Sequence, residues 1–332
     1  MAGNSRARTG ALIGGALLLA PLAAAGGWIA YSRLAVDHNV PLPNAVEARR
    51  GTVGTSVGRL SYYVDDSAGG RPLVLIHSIN AGASAYEMRP LFEHYRGQRT
   101  VYALELPGFG FSDRPDVEYT PDMYRQAIRE FFEKVLDQPA DVVVLSLSSE
   151  FVALAAVEQP ERFNSLTLIS PTGFSAPGED SETNRSRSPE MSDRLLRLFR
   201  FPFGGRAFFD LIASTPSIRY FLDMSFVGSP DEGLVQYAYQ SSHQPGAHHA
   251  PLYFITGRLF SEGIREQVYA RLPMPVLVIY DEDPFTGFEE LQPFAVEHPN
   301  WTLARIQPTR GLPHFEQLGQ TTDALDTFWQ GV

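Results

Sequence analysis

The sequence predicts an α/β fold in which a mainly parallel sheet is flanked by helices and carries one helical insertion. Three observations support this prediction. Short apolar runs of strand length alternate with helical segments, an order typical of crossover units in a parallel sheet. These runs are continuous, as expected for strands that helices cover on both faces. The alternation is interrupted once, by roughly 90 residues rich in large apolar groups, which is too long for a simple loop.

The expected strands begin with a pair that meets at Gly58 and end near the C-terminus. The strand segments are 53–64 for that pair, then 73–76, 100–106, 142–147, 166–169, 276–280 and 301–306. A helix follows Thr120, which can cap it, and Pro121 suits its first position. Further helices are expected over 151–158 and 323–329.

The insertion separates the expected strands at 166–169 and 276–280. Its first part, 176–193, is dense in Ser, Glu, Asp and Arg without apolar periodicity, and therefore predicts an exposed loop. Large apolar residues then dominate 195–221. We expect a lid of helices over a site, with boundaries at about 175–268.

Composition excludes several classes of site and partner. The net charge of −11 and the pI of about 5.2 argue against nucleic acid as a partner. The absence of cysteine excludes disulfides, thiolate metal sites and cysteine nucleophiles. His243, His248 and His249 lack a carboxylate or fourth ligand at a recognisable spacing, so we expect neither a metal nor a cofactor.

The N-terminus carries an uncharged, largely apolar run over 9–32, preceded by Arg6 and Arg8. Its length suffices for a membrane-spanning helix, and the basic residues before it place the remaining chain outside the cell. The sequence thus predicts a single anchor, with the cell membrane as a partner. A signal peptide cleaved near Ala23-Ala24-Ala25 would instead give a secreted protein. The resulting segments are the anchor or signal peptide at 1–34, a linker at 35–45 and a folded domain at 46–332.

A candidate nucleophile stands between a predicted strand and a predicted helix. Ser148 follows the strand at 142–147 and precedes the helix at 151–158. A sharp turn there would lift its hydroxyl above the sheet edge and direct it at the helix N-terminus. The backbone N–H of Ser149 would then help to hold the oxyanion of an acyl intermediate.

Four further motifs, each at the end of a predicted strand, make the chain resemble the α/β-hydrolase family from Val53 to the C-terminus. The motifs are His77-Ser78-Ile79-Asn80-Ala81-Gly82, Glu105-Leu106-Pro107-Gly108-Phe109-Gly110-Phe111-Ser112, Asp281-Glu282-Asp283-Pro284 and Gly311-Leu312-Pro313-His314-Phe315-Glu316. In that family, segments of this kind carry the oxyanion hole, a turn of the D-x-P-G-x-G-x-S type, the acid and the base. The order serine, acid, histidine along the chain is also the family order.

The resemblance implies a Ser-Asp-His triad. It implies Asp283 as the acid, with Asp281 as an alternative in the same turn, and His314 as the base. It also implies that the amides of Ile79 and Ser149 form the oxyanion hole. In such a triad the histidine takes the serine proton, and the carboxylate orients the imidazole.

The chain departs from the family pattern at both ends of the site. Ser146 and Glu150 replace the two glycines of a G-x-S-x-G turn around Ser148, and the Glu150 carboxylate could oppose a nearby oxyanion. The C-terminal motif is one residue shorter than G-H-x-P-H, so His314 matches its second histidine by spacing. No other histidine lies beyond the last strand.

The motifs together predict a serine hydrolase that cleaves a small, apolar, ester-like substrate through a covalent intermediate. Carbon–carbon bond hydrolysis, thioester hydrolysis and cofactor-free peroxidation use the same triad and stay open. A second hypothesis is a non-catalytic binding protein of the same fold, which the altered turn suggests. The presence of all three triad residues favours the enzyme.

Overall fold

The computed structural model describes residues 24–176, 189–199 and 204–332. These residues contain one eight-stranded sheet in the order β1-β2-β4-β3-β5-β6-β7-β8. The strands are β1 (Arg49–Thr55), β2 (Gly58–Asp65), β3 (Leu73–Ile76), β4 (Val101–Glu105), β5 (Ala140–Leu145), β6 (Phe163–Ile169), β7 (Val276–Glu282) and β8 (Trp301–Arg310). Strands β1 and β2 are antiparallel to their neighbours, and β3 to β8 pair in parallel. The predicted fold class is confirmed.

Helices cover both faces of the sheet. The helices are α1 (24–34), α2 (Arg89–Tyr95), α3 (Pro121–Val135), α4 (Ser148–Glu158), α5 (Pro189–Phe199), α6 (Gly205–Ile212), α7 (Thr215–Met224), α8 (Glu232–Ser242), α9 (His249–Ile255), α10 (Ile264–Gln267), α11 (Leu291–Glu297), α12 (Pro313–Glu316) and α13 (Leu318–Gln330). As predicted, Thr120 caps α3: its side chain accepts a hydrogen bond from the amide of Met123, and Pro121 is the first helical residue.

Strand β5 illustrates why continuous apolar runs form the sheet. All of its residues are buried. Val142 and Val144 belong to an apolar cluster that includes residues of α3 and α4, whereas Val143 and Leu145 belong to a second cluster that includes residues of α2 and α13. Because successive side chains of a strand point to opposite faces, a strand between two helical layers needs apolar residues on both.

The helical insertion lies between β6 and β7 and comprises α5 to α10 within the described residues. Helix α5 begins inside the segment 176–193 that the sequence predicts as a loop, and residues 177–188 of that segment lie outside the described residues. Phe209, Ala213 and Ala247 of the insertion form an apolar cluster against Ala81 in the loop after β3. The insertion therefore covers this loop with apolar side chains, and its boundaries at about 175–268 stay a prediction.

Helix α1 packs on the insertion. Trp28 Nε1 donates a hydrogen bond to the carbonyl oxygen of Ala207 (2.7 Å), and Ser32 Oγ donates to the buried carboxylate of Asp210 (2.5 Å). His38 Nε2 lies 2.9 Å from the same carboxylate. Both Ala207 and Asp210 are in α6, so the polar groups of the N-terminal segment bind one helix of the insertion.

The predicted membrane anchor is not found. Across the described ranges, no helix is both long enough and apolar enough to span a bilayer. This finding contradicts the anchor predicted over 1–34 and the localisation inferred from it, and the part of that segment before residue 24 lies outside the described residues. The interpretation was wrong because it treated the apolar run as one spanning helix, whereas its last turns pack on α6 through Trp28 and Ser32.

The segment 35–45, predicted as a linker, is also bound to the insertion. Tyr237 in α8 donates a hydrogen bond from its hydroxyl to the carbonyl oxygen of Pro43 (3.0 Å). Gln244 donates from Nε2 to the carbonyl oxygen of Val40 (2.8 Å). These two bonds fix the segment beside the end of α8.

Candidate active site

The turn between β5 and α4 has its strained residue at Ser146. Strand β5 ends at Leu145, and Ser146 has a φ of 56°, a left-handed value that costs a non-glycine residue about 1–3 kcal/mol. Its amide donates a hydrogen bond to the carbonyl oxygen of Ile169 in β6 (2.8 Å), which holds the turn on the neighbouring strand. The side chain is partly exposed. A strained, accessible serine between a strand and a helix is the geometry of a nucleophile elbow.

Ser148, the predicted nucleophile, lies two residues further on, as the first residue of α4. It is fully buried, and its hydroxyl makes no hydrogen bond within the described residues. The prediction depended on a strand over 142–147, but the strand ends at Leu145 and the helix starts earlier than expected. The geometry therefore favours Ser146 over Ser148 at the elbow.

With Ser146 as the elbow residue, the candidate oxyanion donor on this side of the site is the amide of Leu147 and not that of Ser149. The amide of Ser149 donates to the carbonyl oxygen of Ser146 (3.0 Å), so it is committed to the first turn of α4. The amide that directly follows the elbow residue is the N–H of Leu147, and this N–H donates no hydrogen bond to the part of the chain that the structure describes. A backbone N–H in this position, next to a serine nucleophile, is the usual oxyanion donor.

Ile79, the other predicted oxyanion donor, lies in a loop that Glu87 holds in place. The Glu87 carboxylate accepts hydrogen bonds from the amide of Ser78 (2.8 Å) and from Nδ2 of Asn80 (2.6 Å). Asn80 Oδ1 in turn accepts from the amide of Gly82 (2.8 Å). Residues on both sides of Ile79 are thus fixed, which preorganises the loop after β3.

The Glu150 carboxylate is hydrogen-bonded to residues outside the elbow turn. Its Oε1 accepts a hydrogen bond from the hydroxyl of Thr172 (2.5 Å), and its Oε2 accepts from the amide of Ser261 (2.7 Å). The carboxylate is fully buried and connects α4 to the end of the insertion. The carboxylate therefore serves as a structural link. Its hydrogen bonds to Thr172 and Ser261 do not direct its charge at an oxyanion.

The two candidate acids have different surroundings. Asp281 accepts hydrogen bonds from Nε of Arg305 (2.8 Å), from Nε2 of Gln307 (3.1 Å) and from the amide of Thr309 (3.0 Å). All three donors are in β8, so Asp281 ties β7 to β8. With its oxygens occupied in this way, Asp281 is a structural residue of the sheet, and Asp283 is the better candidate for the acid.

Asp283 is a half-buried acid that forms no ion pair with the described residues. Burial raises the pKa of its carboxyl group to about 7, although the nearby amides of Phe285 and Thr286 and the nearby Ser170 hydroxyl act in the opposite direction. The amide of Phe285 lies 2.7 Å from Oδ1. A Cβ atom added to Gly311 would lie 2.9 Å from Oδ2, so the backbone at position 311 is the part of the β8–α12 loop that faces this acid.

His314, the predicted base, is sealed in the interior. It is fully buried, and its Nε2 lies 2.6 Å from the carbonyl oxygen of Glu87, a distance at which Nε2–H donates to that carbonyl. Burial lowers the pKa of the imidazole to about 4. Its Nδ1 makes no hydrogen bond within the described residues, so Asp283 does not orient it. The structure does not bring the predicted triad together.

Ser170 is a second strained residue at this edge of the sheet, and the sequence prediction did not single it out. Besides Ser146, it is the only non-glycine residue with a positive φ (46°) in the described ranges. It directly follows β6, as Ser146 directly follows β5, and both are polar residues at the end of a buried apolar run. A polar residue at the end of an apolar run is the feature by which the sequence could have located both turns. For Ser146 this feature was not recognised, because Ser146 lies inside the strand expected over 142–147.

Comparison with known proteins agrees with this architecture. The Alpha/beta hydrolase family matches residues 73–324. A 2-hydroxymuconate semialdehyde hydrolase of Pseudomonas sp. (strain CF600) is 26% identical over 227 residues, which cover 66% of this chain and 72% of that protein.

Two solved structures share the fold. A serine hydrolase involved in carbazole degradation has a TM-score of 0.67 and 16% identity, covering 86% of this chain and 99% of its own. A carboxylesterase of Bacillus subtilis has a TM-score of 0.64 and 16% identity, covering 86% and 93%. The relatives named here are thus two hydrolases and a carboxylesterase by name, and the two solved structures share the fold of this chain.

Proposed function

The chain belongs to the alpha/beta hydrolase family, and we propose that it hydrolyses an acyl bond of a small molecule with Ser146 as the nucleophile. The observation that carries the proposal is the strained, partly exposed serine at the carboxyl end of β5, directly before α4. Strain of this kind persists where it exposes a reacting group. Hydrolases among the relatives support the reaction class.

The reaction follows from the position of the turn. Ser146 Oγ attacks the acyl carbon and its proton leaves to a base, which gives a tetrahedral oxyanion and then an acyl-enzyme as the leaving group departs. The amides of Leu147 and Ile79 are the candidate oxyanion donors. The N-terminus of α4 adds a favourable dipole beside the developing negative charge.

An apolar ester is the first substrate class to test. Phe209, Ala213 and Ala247 pack over Ala81, so the cover next to the oxyanion loop is apolar. An apolar acyl chain gains free energy when it leaves water for such surroundings. A carbon–carbon bond substrate remains the alternative, because a 2-hydroxymuconate semialdehyde hydrolase is among the relatives.

Labelling of the full chain with a fluorophosphonate probe tests the nucleophile. Ser146→Ala and Ser148→Ala form a matched pair, since each removes one hydroxyl from the same turn. We expect Ser146→Ala to abolish labelling and Ser148→Ala to retain it. Labelling that is lost only in Ser148→Ala would instead establish the nucleophile predicted from the sequence. Substrates are then screened with p-nitrophenyl esters of graded chain length.

A non-catalytic binding protein is the second candidate. The observation that favours it is the absence of an imidazole beside Asp283 in the described residues, where Gly311 faces the carboxylate and His314 is sealed away. A folded chain that binds p-nitrophenyl esters but neither hydrolyses them nor reacts with the probe would establish this alternative.

A further inference from the structure

The Asp283 carboxylate has an oxygen, Oδ2, to which the described residues donate no hydrogen bond. Its Oδ1 accepts from the amide of Phe285 (2.7 Å), and this is the only bond of ordinary geometry between the carboxylate and the described residues. The preceding Glu282 pairs with Arg310, whereas Asp283 forms no such ion pair there. Because Asp283 is half-buried, part of it stays open to ligands. A carboxylate oxygen in this state favours a charged or polarised N–H donor.

Gly311 leaves the space beside Oδ2 free of a side chain. Glu282 pairs with Arg310 in the sheet, so Asp283 and Gly311 are the residues that follow on adjacent strands. A Cβ atom at position 311 would lie 2.9 Å from Oδ2. Apart from the Asp283 carboxylate, no described atom outside residues 310–312 lies within 4 Å of that point. We call the volume around this point the Gly311 space.

The Gly311 space and the elbow serine lie at the same edge of the sheet. The end of β5 is level with Ile279 in β7, because both strands pair with Ile169. Ser146 directly follows β5, and Asp283 directly follows β7. These strands are about 10 Å apart, twice the usual spacing, and no hydrogen bond joins Ser146 to Asp283. A third group is therefore needed to take the serine proton beside the acid.

The histidines that border this edge are bound elsewhere. His77 follows β3 and His314 lies in α12 after β8, and both are fully buried. The Nε2 of His77 accepts a hydrogen bond from the amide of Leu106 (3.0 Å). The Nε2 of His314 lies 2.6 Å from the carbonyl oxygen of Glu87, to which it donates. Neither ring forms a hydrogen bond with the serine or with the acid.

Aromatic rings flank the acid. Phe285, whose amide binds Asp283, is 44% exposed, and Phe221 in α7 is 45% exposed. Their ring centroids are 6.5 Å apart. Exposed rings offer faces on which a flat ring can stack and to which a cation is attracted. These surroundings suit a flat aromatic base that becomes positively charged.

We propose that the Gly311 space binds an imidazole ring supplied by a ligand, and that this ring is the base for Ser146. The inference rests on the proposed function, in which Ser146 is the nucleophile. One ring N–H donates to Asp283 Oδ2. As Ser146 Oγ bonds to the acyl carbon, its proton passes to the other ring nitrogen, and the carboxylate stabilises the cation. The proton then leaves with the alkoxide. Water attacks the acyl-enzyme while it gives a proton to the same nitrogen, and that proton returns to Ser146.

Fluorophosphonate labelling of the full chain at increasing imidazole concentration tests the site. We expect slow labelling in buffer alone and a saturable acceleration by imidazole of about 100-fold, a common size for a general-base effect. Pyrazole is the control compound, since its ring has the same size but is a far weaker base. It should not accelerate labelling.

Gly311→Ala and Gly70→Ala are the matched variants. A methyl group at position 311 would enter the Gly311 space, whereas one at position 70 meets no atom within 4 Å. The φ values are 82° and 81°, so both alanines impose the same backbone strain. We expect imidazole to accelerate labelling of Gly70→Ala as in the unaltered chain and to leave Gly311→Ala unchanged. Urea unfolding checks that both variants are folded.

Two esters distinguish a ring carried by the substrate from a free compound. Ethyl imidazolylpropanoate carries the imidazole, and ethyl phenylpropanoate has a benzene ring in its place. Without free imidazole, faster hydrolysis of the first ester, above the rate in Ser146→Ala, identifies the substrate as the source. Equal rates for the two esters, both raised by free imidazole, identify a free compound.

The outcomes separate this inference from the proposed function. If the unaltered chain labels at Ser146 at a rate that imidazole does not change, the imidazole site is wrong and the nucleophile stands. The same holds if imidazole accelerates Gly311→Ala as much as Gly70→Ala, since the base then acts from solution. If the folded, unaltered chain labels neither with nor without imidazole, the proposed function is wrong.

Discussion

Gly311 faces the carboxylate of Asp283, and a Cβ atom at position 311 would lie 2.9 Å from Oδ2. The φ of Gly311 is 82°, so a side chain here would meet backbone strain as well as the acid. The place beside the acid is therefore kept free of a side chain. His314, three residues further along the chain, points to the Glu87 carbonyl instead.

This relationship predicts that His314 is needed for stability. His314→Ala should lower the free energy of unfolding by about 2–4 kcal/mol, because it leaves a cavity and an unpaired carbonyl at Glu87. His314→Gln, which can keep a donor, should cost less. Urea unfolding measures both values. A loss of probe labelling in His314→Gln without a loss of stability would show that His314 is the base.

The same histidine affects stability as a function of pH. Its pKa is about 4 in the folded chain, below the ordinary value of 6.5, so the unfolded state binds more protons between these values. Stability therefore falls as the pH drops from about 6.5 to 4, by up to about 1.4 kcal/mol per pH unit for one such group. In His314→Gln the unfolding free energy should fall less steeply over this range. An identical slope in the two proteins would contradict the assignment.

Asp281 and Asp283 should respond in opposite ways to the same substitution. Asp281→Asn weakens the bonds to Arg305 and Thr309, and we expect it to lower the free energy of unfolding by about 1–3 kcal/mol while labelling continues. Asp283→Asn should stop labelling. At pH 8 it should leave stability unchanged or raised, because burial of the ionised carboxylate is unfavourable above its pKa of about 7. Both variants are compared with the unaltered chain by probe labelling and by unfolding measurements at pH 8.

Glu150 should hold the end of the insertion on the domain. Glu150→Ala removes the acceptor of the Ser261 amide, so hydrogen exchange at Ser261 should accelerate, and stability should fall by about 2–4 kcal/mol. Glu150→Gln keeps one oxygen and should have a smaller effect on both. Unchanged exchange at Ser261 in Glu150→Ala would exclude this role.

Asp210 should control the docking of α1. Asp210→Asn weakens the bonds from Ser32 and His38, so amide hydrogen exchange over 24–34 should accelerate relative to the unaltered chain. Asp231→Asn, at the N-cap of α8 in the same insertion, is the control and should leave exchange in α1 unchanged. Equal exchange in α1 for all three proteins would show that the bonds to Asp210 do not hold the helix.

The sequence predicts the sheet well because its signals are local. Every parallel strand overlaps a segment predicted from the sequence, and Thr120 with Pro121 marks the start of α3. These features need no knowledge of distant contacts. The prediction of the acid also separates Asp283 from Asp281, and the contacts of Asp281 with β8 favour the same choice.

The elbow could not be located because no glycine flanks it: Val144 and Ser148 stand two residues before and two residues after Ser146. Leu147 is apolar and buried, so it extends the apolar run past the true end of β5 at Leu145. No local sequence pattern predicts a serine with a left-handed backbone conformation, because tertiary contacts such as the hydrogen bond from the amide of Ser146 to Ile169 stabilise it. The docking of α1 is hidden for a similar reason, because Asp210 is far along the chain from Ser32.

The bonds that fix residues 35–45 decide how the protein should be prepared for any assay. A chain shortened to begin at Val46 would lack Pro43 and Val40, and would leave Tyr237 and Gln244 without two of their acceptors. The shortened chain would also lack Ser32 and His38, the two partners of the buried Asp210 carboxylate. Inactivity of such a shortened chain would thus be explained by a damaged insertion, so activity should be measured on the unshortened 332-residue chain.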